Sequence, residues 1–163
     1  MSRVPLSTAV LLFLLPVAAH AARPATAGPP ADTLYMRQDW AGAAGAYDHL
    51  VKAEPANGRA WYRLGVSLQQ SGHADRAIPA YQKAGALGFA PQSTWYNLAC
   101  AYAVTHDTEH AFGALDSLTN HGYRQPQALE GEGDFASIRS DTLFAAVVAW
   151  NLAALIAGPG RTL

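Results

Sequence analysis

The stretch Trp61-Tyr-Arg-Leu-Gly65 returns 34 residues later as Trp95-Tyr-Asn-Leu-Ala99. The same offset carries Leu68 onto Tyr102, Ala77 onto Ala111, Tyr81 onto Leu115 and Ala84 onto Leu118. Moved backwards, it carries Ala77 onto Ala43, Tyr81 onto Tyr47 and Ala84 onto Leu50. Two and a half copies therefore share one register without a gap. A fixed period of this length is the mark of a stacked supersecondary unit, each copy burying its apolar face on the next.

The unit reads as a pair of helices. Trp61, Leu64 and Leu68 step by three and four, as do Trp95, Leu98 and Tyr102, so each set lines one helix face. Small residues fall where two helices must approach closely: Gly65, Ala77 and Ala84, then Ala99 and Ala111. Gly72 separates the two helices of the middle unit, Gly85 and Gly88 offer left-handed C-caps, and Pro91 opens the next unit. Pro79 predicts a late start or a small kink in a helix that should begin near Asp75. Period-two alternation and Asn-Gly or Asp-Gly hairpin turns are missing, which argues against strands.

These residues resemble the tetratricopeptide repeat (TPR), whose pattern is Trp-x2-Leu-Gly-x2-Tyr, then Ala, an aromatic, Ala and Pro over 34 residues. Trp61, Leu64, Gly65, Leu68, Gly72, Ala77, Tyr81 and Ala84 carry the likeness in one unit. Trp95, Leu98, Ala99, Tyr102, Ala111, Leu115 and Leu118 carry it in the next. The resemblance implies an all-α fold: a short right-handed α-α solenoid of helix hairpins over residues 32–124. After Tyr123 the repeat is expected to stop, with Gln125 to Gly133 as a loop. Asp134-Phe-Ala-Ser-Ile-Arg139 to Phe144 resembles the segment that ends bacterial TPR groups, so residues 125–163 are expected to close the array. Residues 142–157 read as the capping helix, with Asp141 as N-cap and Gly158-Pro-Gly160 as its stop.

The N-terminus is a separate object. Arg3, the nearly all-apolar run Val4 to Ala19, and the A-x-A pattern Ala19-His20-Ala21 form the layout of a secretory signal peptide over residues 1–21. Residues 22–31 are rich in Pro, Ala and Gly and read as a disordered linker. The expected location is the periplasm or the cell exterior, with no stable membrane insertion after cleavage. A net charge of −1 on 163 residues gives no basic excess for nucleic acid. Cys100, the lone cysteine, can form no internal disulfide.

Three clusters could carry chemistry. His106 and His110 stand at i, i+4, a spacing that can hold a metal. The repeat register instead places His106 in a turn and His110 at a helix start, with Asp107 as N-cap. Glu130, Glu132 and Asp134 alternate with glycines as calcium-binding oxygens can, without the twelve-residue loop spacing. Cys100 lies in an apolar stretch with no base beside it and reads as a small core residue. Nucleophile elbows, phosphate loops and dinucleotide fingerprints are missing. The expectation is a non-enzyme with no catalytic residue, metal or cofactor.

In the family, the first helix of each pair lines a concave face that accepts an extended peptide or a helix. By that likeness Arg59, Tyr62, Arg63, Val66, Gln69 and Gln70 point inward from one unit. Ser93, Tyr96, Asn97, Cys100, Ala103 and Val104 do so from the next. Arg59 and Arg63 share one helix face and suit bidentate contact with a carboxylate, or serve only solubility. The first unit lacks the Lys and Asn that complete the family's carboxylate clamp. Tyr62 and Tyr96 are the expected aromatic contacts. The functional expectation is an adaptor for a protein or peptide partner. The alternative is a structural subunit that self-associates, because two and a half repeats fall short of the usual three.

Overall fold

A computed structural model describes residues 30–157. The expected signal peptide, residues 22–29 of the expected linker, and the Gly158-Pro-Gly160 stop lie outside the described residues. Eight α-helices follow one another: α1 Ala31–Met36, α2 Trp40–Ala53, α3 Gly58–Gln70, α4 Ala74–Ala86, α5 Pro91–Val104, α6 Thr108–Asn120, α7 Pro126–Gly131 and α8 Thr142–Ala157. A 3-10 turn, Gly133–Ser137, separates the last two. There is no strand among the described residues. From α1 to α6 each helix packs on the next; α8 packs on α7 and α6, and the 3-10 turn packs on α5. This is an all-α, TPR-like solenoid.

The 34-residue register is physical. Ala43, Ala77 and Ala111 are fully buried, and so in effect are their companions Tyr47, Tyr81 and Leu115. Alanine at the first position lets two backbones close, and the large side chain one turn later fills the space beside the contact. The tightest approach is at Gly65, where an added Cβ would lie 2.6 Å from the Tyr81 ring. The equivalent Ala99 is buried with no exposure.

Helix ends obey the same period. Asp39, His73, Asp107 and Asp141 stand 34 apart, each just before the second helix of a pair. A carboxylate oxygen of Asp39 accepts from the Gly42 N–H at 3.0 Å, of Asp107 from the His110 N–H at 3.3 Å, and of Asp141 from the Leu143 N–H at 2.8 Å. His73 makes no side-chain cap. The first helices end at Gln38, Gly72 and His106, also 34 apart, with φ of 58°, 83° and 61°. At each, the next amide reaches back to a helix carbonyl: Asp39 to Leu34, His73 to Leu68 and Asp107 to Tyr102. This is the Schellman closure, which glycine enters without strain and Gln38 or His106 does not.

The cap register itself runs on past Tyr123 to Asp141, the expected N-cap of the closing helix. The structure corrects two expectations. Residues 126–131 are helix α7, opened by Pro126 at its first turn, where the missing N–H costs nothing. Helix α4 does not start late at Pro79 but runs from Ala74 through it. Pro79 and Asp75 are both exposed, so water can take the Asp75 carbonyl that proline leaves free. The half unit at the N-terminus also has a partner, the short helix α1.

Two substitutions test this packing and capping. Gly65→Ala is expected to lose about 1–2 kcal/mol, because overpacking against Tyr81 outweighs alanine's better helix propensity. His73→Asp restores the missing cap and is expected to gain about 1 kcal/mol. Urea unfolding followed by circular dichroism reads both.

Candidate functional site

Arg59 and Arg63 sit one turn apart on α3 and converge as their spacing requires. They converge on a carboxylate of the chain itself. Arg59 Nη2 donates to Asp32 Oδ2 at 2.6 Å, and Arg63 Nη1 donates to Asp32 Oδ1 at 2.6 Å. The Tyr47 hydroxyl donates to the same Oδ1 at 2.5 Å. The Arg63 guanidinium also lies 4.9 Å from the Tyr35 ring centroid, a cation–π contact. The hydrogen bond from Tyr47, with the two guanidiniums, holds the Asp32 carboxyl below its usual range. Burial, then the bond to Asp32, pushes the Tyr47 hydroxyl up to about 12. The arginine pair therefore has carboxylate chemistry, and α1 supplies the carboxylate. Asp32 was legible only as the first residue of the helical stretch, and Tyr47 only as a core aromatic.

The 3-10 turn packs over helix α5 and reaches α3. The Tyr96 hydroxyl donates to Glu132 Oε2 at 2.9 Å, and Gln69 Nε2 donates to Asp134 Oδ2 at 3.0 Å. Gln69 Oε1 accepts from the Tyr81 hydroxyl at 2.9 Å. Phe135, fully buried, meets the Tyr96 ring edge-on at 5.8 Å, and the Ser137 hydroxyl donates to the Ala103 carbonyl at 2.7 Å. Cys100 is 2% exposed under this closure, inside the core and not on an open groove. Burial, followed by the Glu132 and Asp134 charges, pushes its thiol up, which opposes thiolate formation. Burial and the neighbouring Glu132 raise the Asp134 carboxyl. Gln70 and Val104 are exposed, Val66 is half-buried against the core, and Ala103 is buried.

A cavity of about 360 Å³ is lined by Tyr62, Gln92, Ser93, Tyr96, Asn97 and Tyr123 among others. Helices α3 and α5 bring Tyr62 and Asn97 together here: Asn97 Nδ2 donates to the Tyr62 hydroxyl at 3.1 Å. The Tyr62 ring is fixed from behind by Phe89 at 5.6 Å and Tyr81 at 6.0 Å. Tyr62 thus presents a positioned hydroxyl, and Asn97 keeps its side-chain carbonyl for another donor.

The two histidines part company. His106 is the left-handed turn residue, with φ of 61°. His110 stacks on Tyr102 at 5.2 Å, and its Nδ1 lies 2.9 Å from both Asp107 oxygens, which raises the imidazole pKa. Glu132 and Asp134 are taken by Tyr96 and Gln69. Among the described residues no three His, Cys, Asp or Glu side chains gather as a metal set.

The Asp32 cluster predicts a pH signature. A carboxyl held low in the folded chain adds stability above the unfolded value of about 3.9, and that stability is lost as pH falls through the folded value. Asp32 is half exposed, so solvent limits the effect. Asp32→Asn is expected to lower stability by less than about 1 kcal/mol at pH 7. Thermal unfolding followed from pH 7 into acid should show the difference from wild type shrinking as pH falls below the unfolded carboxyl value.

No family model matches the chain, and no curated protein matches it either. Solved structures do match; among them is a mutant of MamA, 24% identical, with a TM-score of 0.52. The alignment covers 63% of this chain and 57% of that one, so the chain spans little more than half of the MamA structure's length. A likeness at that identity speaks for the fold alone: a TPR-like helical solenoid.

Proposed function

We propose that this chain is a non-catalytic TPR adaptor, exported by its N-terminal signal peptide, that holds a segment of a partner protein on its concave face. The observation that carries the reading is the Tyr62–Asn97 pair at the open middle of that face. An asparagine with a free carbonyl can take a backbone N–H of an extended segment, and the flanking Tyr96 and Tyr62 rings offer area at low entropy cost. The positions of Ser93 and Gln92 add neutral polar contacts at the same opening. Arg59 and Arg63 enter only when a partner carboxylate displaces Asp32. The repeat fold supports the reading because stacked hairpins offer an extended surface and no enclosed catalytic pocket.

A peptide library displayed on phage and selected against the mature protein tests the groove. Selected peptides are expected to lose at least about tenfold in affinity, or 1.4 kcal/mol, in the Asn97→Ala, Tyr62→Phe double variant, with helical circular dichroism unchanged. Peptides with a free C-terminal carboxylate, compared with their amides, should bind more tightly to Asp32→Asn than to wild type. Failure to select any peptide, or equal affinity for wild type and double variant, overturns the groove assignment. Intact-mass measurement of the protein from its own cells should show Ala22 as the first residue; retention of Met1 to Ala21 overturns the cleavage.

A further inference from the structure

Helix α8, the last of the described helices, is apolar on both its inward and its outward face. Its inward face carries Phe144, Val147, Val148 and the amide of Asn151, which is fully buried and keeps one oxygen unpartnered. Its outward face carries Leu143, Trp150, Leu152 and Ile156, exposed by 56%, 52%, 43% and 78%. Ala145, Ala146, Ala149 and Ala153 are exposed among them. From Thr142 to Ala157 there is no charged residue. A helix that is hydrophobic all round belongs in a core, and a polar outer face is what a terminal cap of a solenoid requires. The four large side chains alone leave roughly 400 Å² of apolar surface in water, about half of the ~800 Å² that each partner contributes to a stable interface.

We infer that the outward face of α8 packs against the same face of a second copy, in an antiparallel pair. The arrangement of bulk along the helix selects that occupant. Ala146, Ala149 and Ala153 form a central stripe, small enough for two helix backbones to approach closely. Leu143 and Trp150 lie on one flank, beside a cavity of about 490 Å³ between α6 and α8 that Phe112 also lines. Ala145, Leu152 and Ile156 lie on the other flank, with Ala149 at its edge. On that flank the N-terminal half is small and the C-terminal half is large. Reversing a second copy sets Leu152 opposite Ala149 and Ile156 opposite Ala145 in a single register. The two Trp150 side chains then meet near the dyad. A parallel pair would bring opposite flanks together and set Leu152 against Trp150, bulk against bulk. Helix α8 carries no charge, so the helix pair itself sets no like charges against each other near the dyad. A membrane surface fits less well: an interfacial helix carries a basic polar face, and α8 has no basic residue, its polar residues being Thr142 in the first turn and the buried Asn151.

Sedimentation of the mature full-length chain tests this. A dimer is expected at micromolar concentration and a monomer for Ala149→Glu, whose exposed site leaves the fold and the circular dichroism intact. Cysteines at the two paired positions read the register. Ala145→Cys and Ile156→Cys chains, mixed and oxidised, should form a disulfide-linked dimer, while each chain alone should not; buried Cys100 takes no part. A wild-type monomer at all concentrations, a dimer that survives Ala149→Glu, or self-cross-linking of either single variant overturns the proposal. So does binding of the monomer to anionic phospholipid vesicles through this face, read as loss of binding in Ala149→Glu. The concave-face variant Asn97→Ala should dimerise normally, so failure of this proposal and failure of the groove reading are told apart.

Discussion

The structure depends on one contact repeated three times: an alanine of the second helix in each pair, buried beside a large side chain one turn on. Ala43 with Tyr47, Ala77 with Tyr81 and Ala111 with Leu115 set how closely neighbouring helices approach. At Gly65 the approach is so close that the Tyr81 ring occupies the place of a missing Cβ. The spacing fixed there passes outward. It brings Tyr81 within reach of Gln69, Gln69 within reach of Asp134, and Tyr62 within reach of Asn97. The polar groups of the concave face are thus positioned by apolar contacts on its far side.

A short array must also end well, and each end uses acidic residues. At the N-terminal end Asp32 neutralises the arginines of α3 through a half-exposed cluster. At the C-terminal end Glu132 and Asp134 accept from Tyr96 and Gln69 and bring Phe135 over the core. The 34-residue register would place another full first helix there. Here the six-residue α7 and the 3-10 turn stand in its place, and Phe135 fills the space that a longer helix would have covered.

The fold was legible because its period survives in residue types that only one environment tolerates. Alanine at full burial, a large apolar residue four positions on, and Asp before most of the second helices are signals that a single sequence displays. The interior groove was less legible. Inward-pointing positions could be counted, but Arg59 and Arg63 looked free because their partner lies 27 and 31 residues away on a helix of six residues with no buried side chain. Cys100 looked like a groove residue because its position says only which way it points. The turn that covers it comes from residues 133–137, beyond the recognised repeats. Helix α7 reads as loop in the sequence for a related reason: one turn and a half with two glycines nearby has no period to detect.

The same closures define the chemistry left open. Asp32 with its arginines is an occupied ion pair, and Glu132 and Asp134 are engaged acids. The Tyr62, Ser93 and Asn97 section between them is neutral and rich in donors and acceptors. A ligand segment lying along the whole face therefore meets a displaceable carboxylate at one end, neutral polar groups in the middle and fixed acids at the other. An anionic tail gains at the Arg59–Arg63 end only what it takes from Asp32, and it is repelled at the other. On the proposed groove reading, a segment neutral and polar along its length meets neither cost.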